Sequence, residues 1–93
     1  MLSEDMKKEI KRHNEFLLYC CEEYIGEFYL KKCYLELLSK GVSPDDIVDY
    51  VQSFSNTMPP TVSKEVNRNS QRILRSAIEE IRSSDENKSS DGR

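Results

Sequence analysis

The chain has 93 residues and a mass of 10.9 kDa; 33% of its residues are charged and 37% hydrophobic, with 14 basic against 17 acidic side chains and a net charge of -3. That length holds one hydrophobic core rather than two, and with three glycines and three prolines it is neither collagen-like nor a flexible linker. No apolar run approaches the ~18 residues needed to cross a bilayer, and the acidic opening Met1-Leu2-Ser3-Glu4-Asp5 lacks the apolar stretch of a secretory signal. The expectation is a cytoplasmic, mostly helical domain with no membrane association.

Residues 3–40 contain no proline and one glycine and are rich in Glu, Lys and Leu, which predicts one long N-terminal helix. Ser3 is placed to cap it, with Glu4 and Asp5 in the electropositive first turn. Lys40 and Gly41 supply a basic last turn and a terminating glycine. Gly26, inside this segment, marks either a kink or a point where another backbone comes close.

Ser43-Pro44-Asp45-Asp46 predicts a second helix over 44–55, since serine caps, proline suits the first helical position and a carboxylate follows at the third. Ile47, Val48, Val51 and Phe54 give it an apolar stripe. Met58-Pro59-Pro60 interrupts, and a third helix is predicted over 61–82, capped by Thr61 or Ser63 and buried through Val66, Ile73 and Ile78. Residues 83–93 have no apolar side chain and are read as a flexible, disordered tail on a single domain spanning 1–82. The predicted fold is therefore an all-α helical bundle.

Two apolar seams run along the predicted long helix. One follows Ile10, Asn14, Leu17, Cys21, Tyr24, Phe28, Lys31, Leu35 and Leu38; the other follows Phe16, Tyr19, Glu23, Gly26, Leu30, Cys33 and Leu37, with Tyr34 beside it. At about 100° per residue the seams lie on nearly opposite sides, so the helix asks for partners on both. If the shorter helices cover the first seam, Phe16, Tyr19, Leu30, Tyr34 and Leu37 form an exposed patch, with Gly26 letting a partner backbone approach. A second copy is the simplest cover, which makes the chain a homodimeric interaction module: an adaptor, regulator or assembly factor. The competing arrangement flanks the helix on both sides and leaves it central in a monomer. Asn14 and Lys31 interrupt the first seam as polar groups of the kind that set helix register.

A second functional reading is a helical DNA-binding regulator. Lys64, Arg68, Arg72 and Arg75 are spaced by four, four and three and share one face, with Asn67 in position to reach base edges. Against it, the overall pI is acidic, and Pro59-Pro60 stands where a tight helix-turn-helix loop is expected.

Enzyme chemistry has little to work with. His13 is seven residues from Cys20, about 10 Å of helical rise and beyond direct proton transfer. There is no Gly-rich phosphate loop, GxSxG or HExxH. Cys20, Cys21 and Cys33 read as reduced thiols acting as small hydrophobes, and with His13 they match no zinc spacing. No cofactor, metal or small-molecule substrate is expected.

Overall fold

The computed structural model describes residues 2–19 and 22–91. Among them every regular element is helical: α1 (Glu4–Tyr19), α2 (Glu23–Ser39), α3 (Pro44–Ser55) and α4 (Pro60–Asp91). No helix among the described residues is long and apolar enough to cross a membrane.

The N-terminal cap forms as the sequence predicts, with Ser3 Oγ accepting the Met6 N–H at 3.2 Å and the Ser3 carbonyl accepting the Lys7 N–H at 3.0 Å. The single helix over 3–40 does not. Helix α1 stops at Tyr19, and α2 restarts at Glu23 behind Glu22, whose φ of -112° and ψ of 97° are extended. Helix α2 then doubles back antiparallel along α1. Breaking the rod forgoes a few helical hydrogen bonds, each contributing about 0.5–1.5 kcal/mol net. Doubling back takes Leu17, Leu30, Tyr34 and Leu37 into the interior, each contributing roughly 1.5–3 kcal/mol. Burial wins. The thiols expected at Cys20 and Cys21 lie outside the described residues; Cys33 is buried and free.

Gly26 is not at the break. It sits in the first turn of α2 against α1, where a Cβ would stand 2.8 Å from Leu17 Cδ1 and 3.0 Å from Leu17 Cα. Of the two roles open to it in the sequence, close backbone approach is the one it fills.

At the far end of α2, Gly41 adopts φ 89°. The Val42 N–H reaches the Leu37 carbonyl at 3.1 Å and the Gly41 N–H the Leu38 carbonyl at 3.0 Å, which is the Schellman pattern. Val42 is thereby turned into the core. Ser43 caps α3 through its Oγ, which accepts the Asp45 N–H at 3.2 Å, and Pro44 takes the first helical position.

Helix α4 begins at Pro60, one residue before the predicted start, because proline's fixed φ suits a first turn. Thr61 and Ser63 consequently lie inside that turn rather than capping it. The helical backbone also runs past Arg82 to Asp91, a stretch with no proline or glycine to stop it. Its 32 residues, about 48 Å at the usual rise, account for most of the 52 Å long axis of the molecule.

The core is shared by all four helices: Ile10 and Leu17 from α1, Leu30, Tyr34 and Leu37 from α2, Ile47, Val51 and Phe54 from α3, and Val66, Ile73, Leu74 and Ala77 from α4. Val48 and Ile78 pack half-buried against it. One polar cluster lies inside. Asn14 Nδ2 donates to the Ile10 carbonyl at 2.8 Å and to Tyr34 Oη at 3.1 Å, and Tyr34 Oη lies 2.6 Å from Ser70 Oγ. Asn14 lies inside the packed region and ties α1 to α2 and, through Tyr34 and Ser70, to α4. Lys31, the other polar interruption, pairs with Glu80 of α4 at 3.0 Å near the surface.

Candidate functional site

The break changes which seam faces out. Leu30 and Tyr34 are fully buried and Leu37 nearly so, and all three belong to the core of one chain. They are not available to a partner, which corrects the expectation that they join Phe16 and Tyr19 in an exposed seam. Gly26 is buried as well, against Leu17 of its own chain. Of the six residues expected to carry the contact, only Phe16 and Tyr19 reach the surface.

Four other large apolar residues are exposed in their place. Tyr24 is 90% exposed and Phe28 62%, and Ile25 and Tyr29 are exposed too; with Tyr19 at 78% and Phe16 they form the large apolar surface at the α1–α2 tip. Tyr24 and Phe28 share the seam of Ile10 and Leu17 only if one helical phase carries through residues 20–22, and the restart of α2 behind Glu22 turns them outward. Two apolar sides are present on α2 alone. This helix is apolar on the side facing α1 and α4 and apolar again on the side facing water. An amphipathic surface helix has one such side.

The rings are arranged as a continuous surface. Phe28 and Tyr29 meet edge to face at 5.6 Å, Phe16 and Tyr29 at 6.2 Å, and the His13 imidazole stacks on Tyr29 at 6.5 Å and 15°. Tyr24 lies one turn from Phe28 and Tyr19 one turn from Phe16, so each extends the surface along its helix. Between the helices Arg12, His13, Phe16 and Tyr29 line a recess of about 310 Å³.

The charges at the margin are already matched within the chain. Arg12 lies 2.8 Å from Glu9, which also lies 3.2 Å from His13 Nε2. Arg72 Nη1 and Nη2 donate to the two carboxylate oxygens of Glu27, at 3.2 and 2.9 Å, and Lys31 holds Glu80. The Arg72 hydrogen bonds hold the Glu27 carboxyl below its ordinary range against a smaller opposing effect of burial. The surface is therefore apolar in the middle, with these ion pairs at its edge and the exposed Lys32 one turn beyond Phe28.

Of the residues considered for nucleic acid, Lys64, Arg68, Arg72 and Arg75 are exposed on α4. Arg72 is engaged by Glu27, and Arg68 joins it beside Leu17, Leu18 and Glu65, whereas Arg75 borders Pro44 and Val48 of α3. The three arginines of the stripe are thus divided between two recesses, with the Glu27 and Glu65 carboxylates in one of them. Asn67 turns inward, its Nδ2 donating to Ser55 Oγ and to the Ser63 carbonyl, both at 2.9 Å, where it ties the start of α4 to the end of α3.

A further recess, about 380 Å³, runs between α1 and the C-terminal half of α2 past Asp5, Glu9, His13, Lys32, Cys33, Glu36 and Lys40. Burial first, then the carboxylates of Glu9 and Glu36, push the Cys33 thiol up to about 11. A thiol held protonated in this way is a poor nucleophile and metal ligand. Among the described residues no three His, Cys, Asp or Glu side chains are grouped to hold a metal ion.

No protein-family model, curated protein or solved structure matches the chain, so its functional reading rests on this surface.

Proposed function

We propose that the chain is a small non-enzymatic protein–protein interaction module, an adaptor, regulator or assembly factor, that docks through the outer face of α2 and the adjoining end of α1. One observation carries the reading: α2 is apolar on opposite sides, and its own chain covers only one of them. Six exposed large apolar side chains on two adjoining helices, three of them in ring contact, exceed what isolated surface hydrophobes require. Tyrosines suit such a role, because the hydroxyl stays hydrated in the free protein while the ring supplies contact area.

The test compares the wild-type chain with Phe28→Glu, a substitution at an exposed ring that leaves the core untouched. Sedimentation equilibrium reports self-association, and affinity capture from the native source reports other partners. The expected result is an association, of either kind, that the variant loses while keeping its helical circular dichroism. A wild-type chain that is monomeric and captures nothing beyond what the variant captures rejects the reading.

A further inference from the structure

We infer that the occupant of this surface is the same surface of a second copy, with the two α2 helices packed antiparallel about a two-fold axis at Phe28. The inference rests on the interaction reading above and names its partner.

Area is the first support. Large side chains of this kind each present up to about 150–250 Å², and at their observed exposures the six together offer on the order of 700 Å². A stable interface of ordinary size buries about 800 Å² on each partner. The patch alone nearly meets that figure, without recruiting the polar surface around it.

Charge is the second. A partner of opposite charge would be selected by unmatched charges at the margin. Here Arg12, Arg72 and Lys31 each hold a carboxylate of their own chain. These paired groups give little basis for selecting an acidic or a basic partner, and the exposed Lys32 beside them needs only an uncharged ring to meet it.

Symmetry is the third. Phe28 lies nine residues before Leu37, half a turn away from that buried position at about 100° per residue, so it stands at the middle of the outer face. Tyr24 lies one turn before it and Lys32 one turn after, and both are exposed. An antiparallel pair crossing at Phe28 stacks the two Phe28 rings and lays each Tyr24 ring against the partner's Lys32. The ammonium then meets an aromatic face. A two-fold interface forms this contact twice from one sequence feature.

The experiment uses the full chain. Sedimentation equilibrium at micromolar concentration is expected to fit a dimer. Phe28→Glu, or Tyr24→Glu should the first variant lose its helical signal, is expected to give a folded monomer. Lys32→Glu is expected to weaken dimerisation roughly 5- to 25-fold across its two symmetric contacts. In a mixed sample of labelled and unlabelled chains, isotope-filtered NOEs are expected between the Phe28 rings and between Tyr24 and the partner's Lys32. A wild-type monomer, or a dimer indifferent to Phe28→Glu, overturns the inference. If the monomer still captures another protein in a Phe28-dependent way, the second copy is rejected and the interaction reading stands; if that capture is absent too, both fall.

Discussion

The Tyr34 hydroxyl lies 2.6 Å from Ser70 Oγ at a fully buried point where α2 crosses α4, and the Asn14 amide of α1 reaches the same oxygen at 3.1 Å. Three helices are tied at one place by groups that have no water to fall back on. Removing one partner leaves the others unsatisfied, at a cost of about 1–3 kcal/mol. Tyr34→Phe is therefore expected to destabilise the fold by that amount in urea denaturation, although ring packing is retained. A double-mutant cycle with Ser70→Ala should show a coupling of at least about 0.5 kcal/mol; additive effects would mean the hydroxyls do not interact.

The same phenol links stability to alkaline pH. Burial, opposed by the hydrogen bonds to Ser70 and Asn14, pushes Tyr34 up to about 12, against about 10 in an unfolded chain. Between those values the unfolded state gives up its proton first. Tyr34's contribution is thus complete below about pH 10 and lost as pH rises towards about 12, on the order of 3 kcal/mol in all. Cys33, pushed up to about 11, acts in the same direction from about pH 8.5. Urea midpoints across this range should fall in two stages, and Tyr34→Phe should flatten only the second.

Gly26→Ala should destabilise the protein even though alanine is the better helix former by about 1 kcal/mol. The added methyl meets Leu17 at 2.8 Å through its side chain and at 3.0 Å through its backbone. The Cα cannot yield without moving α1, and overpacking of this kind costs typically 1–3 kcal/mol. The expected outcome is a lower Tm, with a smaller decrement when the same change is made in Leu17→Ala, where the 2.8 Å contact is gone.

The basic stripe of α4 should not bind nucleic acid appreciably. Arg72 is held by Glu27 and Asn67 faces inward, leaving Lys64, Arg68 and Arg75 on a chain of net charge -3. Mixed DNA fragments should show no retardation even at low salt. A retarded band that weakens with salt and disappears in Arg68→Ala with Arg72→Ala would move the function to α4.

What could be read in the sequence was what is decided locally. The Ser43-Pro44 start of α3, the Gly41 end of α2 and the Ser3 cap follow from single residues with strong backbone preferences, and each stands where expected. The turn between α1 and α2 has no such marker. It contains neither glycine nor proline and exists because two apolar faces gain more by meeting than by continuing as a rod. Once it is missed, helical phase carries across it, and Tyr34 and Leu30 exchange sides with Phe28 and Tyr24. The presence of two apolar faces was legible; the identity of the outer one depended on a tertiary decision. The hydrogen bonds of Asn14 and Tyr34, to partners 20 and 36 residues away, belong to the same class.

The close packing of Gly26 against Leu17, which leaves no room for a Cβ, has an outcome at the other side of the hairpin wall. Phe16 is the chain neighbour of Leu17, and Tyr29 is three residues beyond Gly26, so one missing methyl group acts as the caliper that sets how far these two rings stand apart. The gauge of the cleft is adjusted from the interior. A lineage could widen this aromatic face by exchanging that hidden glycine, while every exposed residue stayed the same.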